Sequence, residues 1–310
     1  MSFSSDVKLE LSKIELKNKH QKYAELYGML LFSSRFTSRE IVFKTENRYS
    51  ASVFEDLLLE LFNPIVERQS DLKPMSSSSG LYKIIMPVPE ECKAVYEFFG
   101  HTQFDINLKI NRANFESEDL YAHFLRGVFL SCGSVTDPQK GYHLELMVRY
   151  KTLADNLLHF IGEVDVFSVN PKVTPRKGSY LVYIKGSNNI CDLLGYLGAG
   201  NSVMRVIETS AYKDLKNDLN RRQNSELSNI RKLAEASAKQ VRAIKKIEDK
   251  VGLDALPNEL RELSKLRLEY PEMSLKELSQ RMNISRSGVN HRIERIYKFA
   301  DKLTEDYKNG

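Results

Sequence analysis

No run of about 18 or more apolar residues occurs in this chain of 310 residues, so nothing in it has the length of a membrane-spanning helix. Its start, MSFSSDVKLELSKIE, is charged throughout and lacks the apolar core of a secretory signal. The expectation is a protein that stays in the cytoplasm and off the membrane. Cysteine is scarce and odd in number. Cys92, Cys132 and Cys191 are widely spaced, each among apolar neighbours in a predicted helix, which reads as buried thiols rather than disulfide partners or metal ligands. The six histidines form no ligand-spaced cluster with one another or with cysteine, and neither a Walker loop nor a Gly-rich dinucleotide fingerprint is present. No cofactor and no metal is expected on these grounds.

What is present is an ordinary globular balance, 42% hydrophobic and 28% charged residues, long enough for two domains. The net charge of +5 is small but uneven. Residues 1–200 hold 23 Lys+Arg against 24 Asp+Glu, and residues 201–310 hold 23 against 17. The basic excess therefore belongs to the last third, as expected where one part of a chain meets phosphates.

The first 200 residues contain one unit twice, about 99 positions apart. YAELYGMLLFSS from Tyr23 lies over AHFLRGVFLSCG from Ala122, pairing Leu26 with Leu125, Gly28 with Gly127 and Leu31 with Leu130. The apolar helical run Ser52–Glu67 lies over Thr152–Val166, LYKIIM at Leu81 over YLVYIK at Tyr180, and CKAVYEFFG at Cys92 over ICDLLGYLG, so that Cys92 meets Cys191. Between the helices lie extended stretches, EIVFKTENRY from Glu40 and HLELMVRY from His143. PMSSSSG at Pro74–Gly80 and DPQKG at Asp137–Gly141 supply turn chemistry. Each half reads as α-β-β-α-β-β-α. Gly28 and Gly127 sit inside helices, where glycine costs about 1 kcal/mol relative to alanine. Close approach of the two first helices across a pseudo-two-fold axis is a compensating reason; two unrelated tolerated glycines are the other reading.

After residue 257 the pattern predicts three helices. The first, about Asn258–Tyr270, follows Pro257, carries Leu260, Leu263 and Leu268, and ends at Pro271. The second starts at SLKE, where Ser274 and Glu277 have capping-box spacing, and turns Leu275, Leu278 and Met282 inward. Asn283 and Ile284 make a short turn. Ser285 can cap a third helix with Val289, Ile293, Ile296 and Leu303 on its apolar side. Outward near its start stand Arg286, Ser287, Asn290, His291, Arg292 and Arg295. Arginine can bond two guanine acceptors and asparagine two adenine groups in the major groove, while Ser285 or the helix N-terminus can hold a phosphate. A merely solvated basic helix has a similar composition, but the cap, the short turn and the helix order favour a helix-turn-helix. For His291, groove contact or solvation outweighs metal binding, since no second ligand is near in sequence. The preceding segment, Val203–Val251, is polar and basic. Leu227, Ile230, Leu233, Ala238, Val241, Ile244 and Val251 predict a helix packed on a neighbour, which NRRQN at Asn220–Asn224 interrupts. Arg221 and Arg222 read either as phosphate contacts or as part of a hinge or interdomain contact.

The fold class is thus α+β: a duplicated α-β-β-α-β-β-α pseudo-two-fold domain followed by an all-α helix-turn-helix domain. The expected divisions are an N-terminal segment 1–19, the duplicated domain 20–203 with repeats about 20–104 and 119–203, a basic helical linker 204–256, and the DNA-binding domain 257–310.

The duplicated region resembles the LAGLIDADG homing endonuclease fold. That resemblance implies two signature helices crossing at a pseudo-dyad, a saddle of two sheets, and one metal-binding acid near the end of each signature. Aligned on the shared glycines, those positions are Ser33 and Cys132, and neither is a hard-metal carboxylate ligand. Glu46 and Glu145 share the 99-residue offset, but in predicted strands; they read as structural or surface carboxylates, with substitute catalysis the alternative. Taken end to end, SFSSDVKLEL, FLRGVFLSCGSVTDPQKGYHLE, NRRQNSELSNIRK and SRSGVNHRIERI resemble the WhiA family of bacterial sporulation and cell-division regulators. Membership implies a LAGLIDADG-like domain without nuclease activity, a C-terminal DNA-binding domain, and a role in transcription, cell division or chromosome segregation and, in sporulating species, sporulation. On this reading the protein is not an enzyme. It is nucleoid-associated, with double-stranded DNA as its partner and a protein of the transcription or division machinery as a second. Arg286, Asn290 and Arg292 are expected to set specificity, and Arg221, Arg222 and Arg295 to add salt-dependent affinity. The rival readings are an active metal-dependent endonuclease and a protein-interaction adaptor at the chromosome. Operator, effector and oligomeric state are not legible.

Overall fold

Asparagine side chains set where the first helices of the repeat begin. Asn18 accepts from the Gln21 amide, and Asn47 from those of Tyr49 and Ser50, each satisfying N–H groups the helix itself cannot. In the computed structural model, which describes residues 2–71, 80–105, 107–164 and 169–305, the chain divides into two units, residues 1–213 and 214–310. The first unit opens with helix α1 (Phe3–Leu11). Two copies of one motif follow: α2 (Lys19–Leu31), β1 (Arg35–Phe36), β2 (Ile41–Thr45), α3 (Arg48–Phe62), β3 (Glu67–Asp71), β4 (Leu81–Met86) and α4 (Pro89–Phe98); then α5 (Leu120–Cys132), β5 (Gly133–Val135), β6 (His143–Val148), α6 (Lys151–Gly162), β7 (Lys172–Arg176), β8 (Ser179–Lys185) and α7 (Ser187–Leu197). Each copy makes one antiparallel four-stranded sheet, ordered β1-β2-β4-β3 and β5-β6-β8-β7. The fold class is the expected one. Helix α8 (Gly200–Val251) crosses the division between the units, and the second unit continues with α9 (Asn258–Glu269), α10 (Leu275–Arg281) and α11 (Arg286–Glu305). Among the described residues no helix is long and apolar enough to cross a membrane.

The two glycines of the repeat meet. A Cβ on Gly28 would stand 2.2 Å from the Phe124 carbonyl oxygen, and one on Gly127 would stand 2.0 Å from that of Glu25. Only glycine lets α2 and α5 approach this closely. One turn from the glycines, Glu25 receives the Arg126 Nε–H at 2.8 Å, with both side chains nearly inaccessible. Burial pushes the Glu25 carboxyl up, against the pull of Arg126. The apolar core of this unit includes Leu26, Met29, Leu30, Phe124, Val128 and Phe129, together with the inner sides of both sheets. Helix α1 adds Phe3, Val7 and Leu11 to it. Glu10 accepts from the Asn201 amide at 2.7 Å and the Ser202 amide at 3.0 Å, capping the start of α8.

Several element bounds differ from the sequence reading. α3 begins at Arg48 because the Asn47 cap overrides the extended look of Asn47–Tyr49, and it ends at Phe62 because Asn63 is left-handed (φ 46°) and Pro64 follows. The 99-residue offset is also not constant. Ser134 pairs with Glu145, whereas its counterpart Arg35 pairs with Val42. The longer β5–β6 turn, closed by Lys140 and Gly141 amides on the Asp137 carbonyl, takes up the difference. Glu145 therefore lies inside β6, bonded by Arg176 at 2.9 Å, while Glu46 lies exposed one residue beyond β2. The expected turn at Pro74–Ser79 and the helical run's end at Val166 lie outside the described residues. All three cysteines are free, Cys92 buried and the other two partly so. Helix α8 runs through Asn220–Asn224 without a break. Two arginines of high helix propensity outweigh the modest cost of the asparagines, and Arg221 sits 3.9 Å from Asp218 one turn earlier.

Replacing Gly28 or Gly127 by alanine is expected to cost about 3 kcal/mol or more, since the obstructing atoms are backbone. Gly162→Ala, with nothing within 4 Å of the added carbon, should be neutral or stabilising by up to about 1 kcal/mol. Urea unfolding of the three variants checks both expectations.

Candidate nucleic-acid interface

Where the signature helices end, the structure assembles cations and weak donors rather than carboxylates. Ser33, just past α2, donates its hydroxyl to the Arg35 carbonyl at 3.0 Å. Cys132, the last residue of α5, donates to the Val128 carbonyl at 3.4 Å. Arg149 reaches the Ser34 carbonyl at 3.0 Å, and Arg35, Arg149, Ser33 and Ser34 line a cavity of only about 20 Å³. From α1, the buried Lys8 ammonium donates to the Leu130 carbonyl at 3.1 Å, a cation at a helix C-terminus, where the helix dipole favours it. Burial pulls Lys8 down to about 8 and pushes the Cys132 thiol up to about 12. A neutral thiol, a hydroxyl and fixed positive charges do not suit a hard divalent metal, which needs oxyanion ligands. Among the described residues, no three His, Cys, Asp or Glu side chains are grouped to hold one.

The second unit builds a different surface. Its core joins Ile244 and Ile247 of α8 to Leu256, Leu260, Leu263, Leu278, Val289, Ile293 and Ile296. The end of α8 is thus a fourth helix of this domain, a role the sequence reading left as packing on an unnamed neighbour. Leu227 and Ile230, by contrast, are exposed. The expected capping box is in place: the Glu277 amide donates to Ser274 Oγ at 3.3 Å and the Ser274 amide to Glu277 at 2.7 Å. That bond holds the Glu277 carboxyl below its ordinary value. Buried Arg267 clamps the turn before α10, donating through Nη1 to the carbonyls of Pro271 at 3.2 Å and Met273 at 2.6 Å. Asn283, left-handed at φ 52°, makes the expected short turn into α11.

Ser285 accepts from the Gly288 amide at 3.0 Å and stands 3.0 Å from the Ser287 hydroxyl, so its oxygen is engaged in starting α11. Val289, Ile293 and Ile296 face inward. Arg286, Ser287, Asn290 and His291 are exposed together at the helix start. Arg292 and Arg295 turn instead towards α9, where both reach Glu259, Arg292 at 3.7 Å. Sequence reading missed this pairing because Glu259 lies 36 residues from Arg295, a separation no helical period reveals. It also missed Glu294 and Lys298, which extend the exposed face of α11. Arg221 and Arg222 are exposed on α8, on the same domain but not in the α11 cluster.

These two parts define a class: a duplicated LAGLIDADG-like scaffold whose first helices end near Ser33 and Cys132 without a carboxylate, followed by a helix-turn-helix domain. Comparison with known proteins gives the same division. Residues 121–216 match the family described as WhiA LAGLIDADG-like domain, and residues 219–300 the WhiA C-terminal HTH domain. The chain is 34% identical over 316 residues to the "Probable cell division protein WhiA" of Clostridium botulinum, covering 98% of this chain and 99% of that protein. It is 33% identical over 318 residues to the protein of the same name from Clostridium beijerinckii, with the same coverage. Full-length DUF199/WhiA from Thermatoga maritima superimposes with a TM-score of 0.60 at 26% identity, covering 97% of this chain and 99% of that one. The chain belongs to the WhiA family.

Two outcomes follow. Lys8, lowered by burial to about 8 from 10.5, binds a proton less readily folded than unfolded, so stability should rise between those two pH values, by about 3 kcal/mol. Cys132, raised from 9 to about 12, acts oppositely above pH 9. Denaturation of Cys132→Ala should therefore show the rise continuing past pH 9, and Lys8→Met should remove it. Separately, Glu259→Gln should release Arg292 and Arg295. Duplex-binding titrations should then show tighter binding, because no ion pair has to be broken, with the salt slope unchanged.

Proposed function

We propose that this protein is a sequence-specific DNA-binding regulator of transcription, acting in the cytoplasm at the nucleoid. It serves cell division and chromosome segregation and, in sporulating species, sporulation. What carries this reading is the exposed cluster of Arg286, Ser287, Asn290 and His291 at the start of α11, held outward by the burial of Val289 and Ile293. A helix N-terminus bearing arginine and asparagine offers the two-pronged donors that guanine and adenine edges accept, with free amide groups for a phosphate. Arg286 and Asn290 read bases. Arg292 joins them once it exchanges Glu259 for DNA, and Arg295, Arg221 and Arg222 contact phosphates. The LAGLIDADG-like domain does not cut DNA: with Ser33 and Cys132 at the acid positions and Lys8 beside them, no carboxylate pair activates water through a metal. It serves instead as a scaffold or as a surface for a protein partner.

Chromosomal occupancy of the wild type and of an Arg286→Ala/Arg292→Ala variant tests the DNA reading. Discrete peaks that the variant loses are the expected outcome, with about 1–3 kcal/mol lost per base-reading arginine at the recovered site. Unchanged occupancy would favour an adaptor. Plasmid incubated with the protein and magnesium or manganese should stay intact. Nicking abolished by Glu145→Gln would show the scaffold to be a nuclease.

A further inference from the structure

A cleft of about 260 Å³ opens in the first unit between α3 and strands β3 and β4, with Arg48, Ala51, Glu55, Arg68, Ser70 and Tyr82 among its lining residues. Cross-strand pairing sets Arg68 opposite Ile84 and Ser70 opposite Tyr82, so these side chains share the face of the sheet that α3 covers. Lys83 and Gln69 alternate to the other face, where the ammonium bonds the Gln69 oxygen at 3.1 Å. Ala51 and Ile84, both buried, and the half-buried Tyr82 ring give the cleft an apolar floor. Its charge comes from three groups. Glu55 is 5% exposed and accepts from Arg68 Nε. Arg48 lies over the Tyr49 ring at 4.7 Å and donates to its hydroxyl at 2.6 Å, contacts that orient the guanidinium without matching its charge. Asp56 is outside the lining and takes the Ser52 hydroxyl at 3.1 Å.

The other repeat shows that the fold does not need these groups. Helix α3 starts from Asn47 and α6 from Tyr150, so Glu55 corresponds to Leu158. In the second sheet Val173 opposes Val182 and Pro175 opposes Tyr180, as Arg68 opposes Ile84 and Ser70 opposes Tyr82 in the first. The second repeat thus carries Leu158, half-buried, and Val173, packed on the core, where the first carries an ion pair with a buried carboxylate. Exchanging such a pair for apolar side chains is often neutral or stabilising, so stability does not account for it. Ligand binding does. Both arginines are exposed at the mouth of the cleft, and a guanidinium presents a planar fork that matches two oxygens of a phosphate or carboxylate.

We infer that this cleft binds a small molecule with one phosphate or carboxylate group on a flat or apolar body. The oxyanion is held by Arg48 and Arg68, and the body rests against Ala51, Ile84 and the Tyr82 ring. Glu55 is a positioning residue that fixes the Arg68 fork. At about 260 Å³ the cleft is smaller than the pockets that take drug-sized ligands, which keeps the body small. The site belongs to the LAGLIDADG-like unit and stands apart from DNA reading by α11.

Isothermal titration of the full chain with phenyl phosphate tests the site. The wild type should bind one equivalent with a Kd below about 1 mM. Arg48→Gln, at an exposed position, should weaken binding at least about tenfold. Glu55→Leu/Arg68→Val installs the side chains that the second repeat carries at these places. It should unfold at the wild-type temperature or above and lose binding to the same degree. No saturable heat with the wild type would overturn the inference, as would binding that both variants retain. An excess of short DNA duplex should leave the titration unchanged. Displacement of phenyl phosphate by the duplex would give the cleft to backbone phosphate and overturn the small-molecule reading.

Discussion

The backbone contact between α2 and α5 is the constraint on which the first unit rests. Two helices normally stay far enough apart for their side chains to interlock. Here Gly28 lies against the backbone of Phe124–Val128, and Gly127 against that of Glu25–Met29. At such a distance the helices have almost no freedom to slide or rotate, so the sheet attached to each is placed by the crossing itself. The buried Glu25–Arg126 pair adjacent to it is a costly contact whose net stabilisation is small. Its desolvation cost is high, and the raised Glu25 carboxyl reports that cost.

The ends of α2 and α5 are held by cations rather than by carboxylates. In a metal-dependent nuclease this corner must hold negative charge. In this chain a lysine from α1 and an arginine from β6's end bond the carbonyls of Leu130 and Ser34. The same helix-end carbonyls that a metal site would leave near its ligands are satisfied internally, without an ion. In the second unit Glu259 pairs with two arginines on the side of α11 that faces α9 and leaves the exposed side to Arg286, Asn290 and His291.

Much of this was legible in the chain. Glycines at one offset located the helix crossing, because only a close backbone approach repays glycine in a helix. Ser274 with Glu277, and Pro257 with Pro271, located the helices of the helix-turn-helix domain, because caps and breakers are local chemistry. What was not legible depended on distance. The Arg292–Glu259 contact, the Lys8–Leu130 bond and the incorporation of Ile244 and Ile247 into the helix-turn-helix core join residues far apart in sequence. The apparent match of Glu46 with Glu145 failed for a related reason. An offset counted along the chain does not register the extra residues in the β5–β6 turn, and strand pairing does.

The cap on α8 has a consequence for how the chain reaches its native state. Glu10 holds the amide of Asn201, 191 residues later, and Asp6 holds Arg205. Helix α1 is thus tied both to the middle of its unit, through Asn47 and Leu130, and to the residues that open α8. Contacts of such long range slow folding. The full set of bonds on α1 therefore closes only when residues 201–205 are in place, although its contacts with α3 and α5 can form before that.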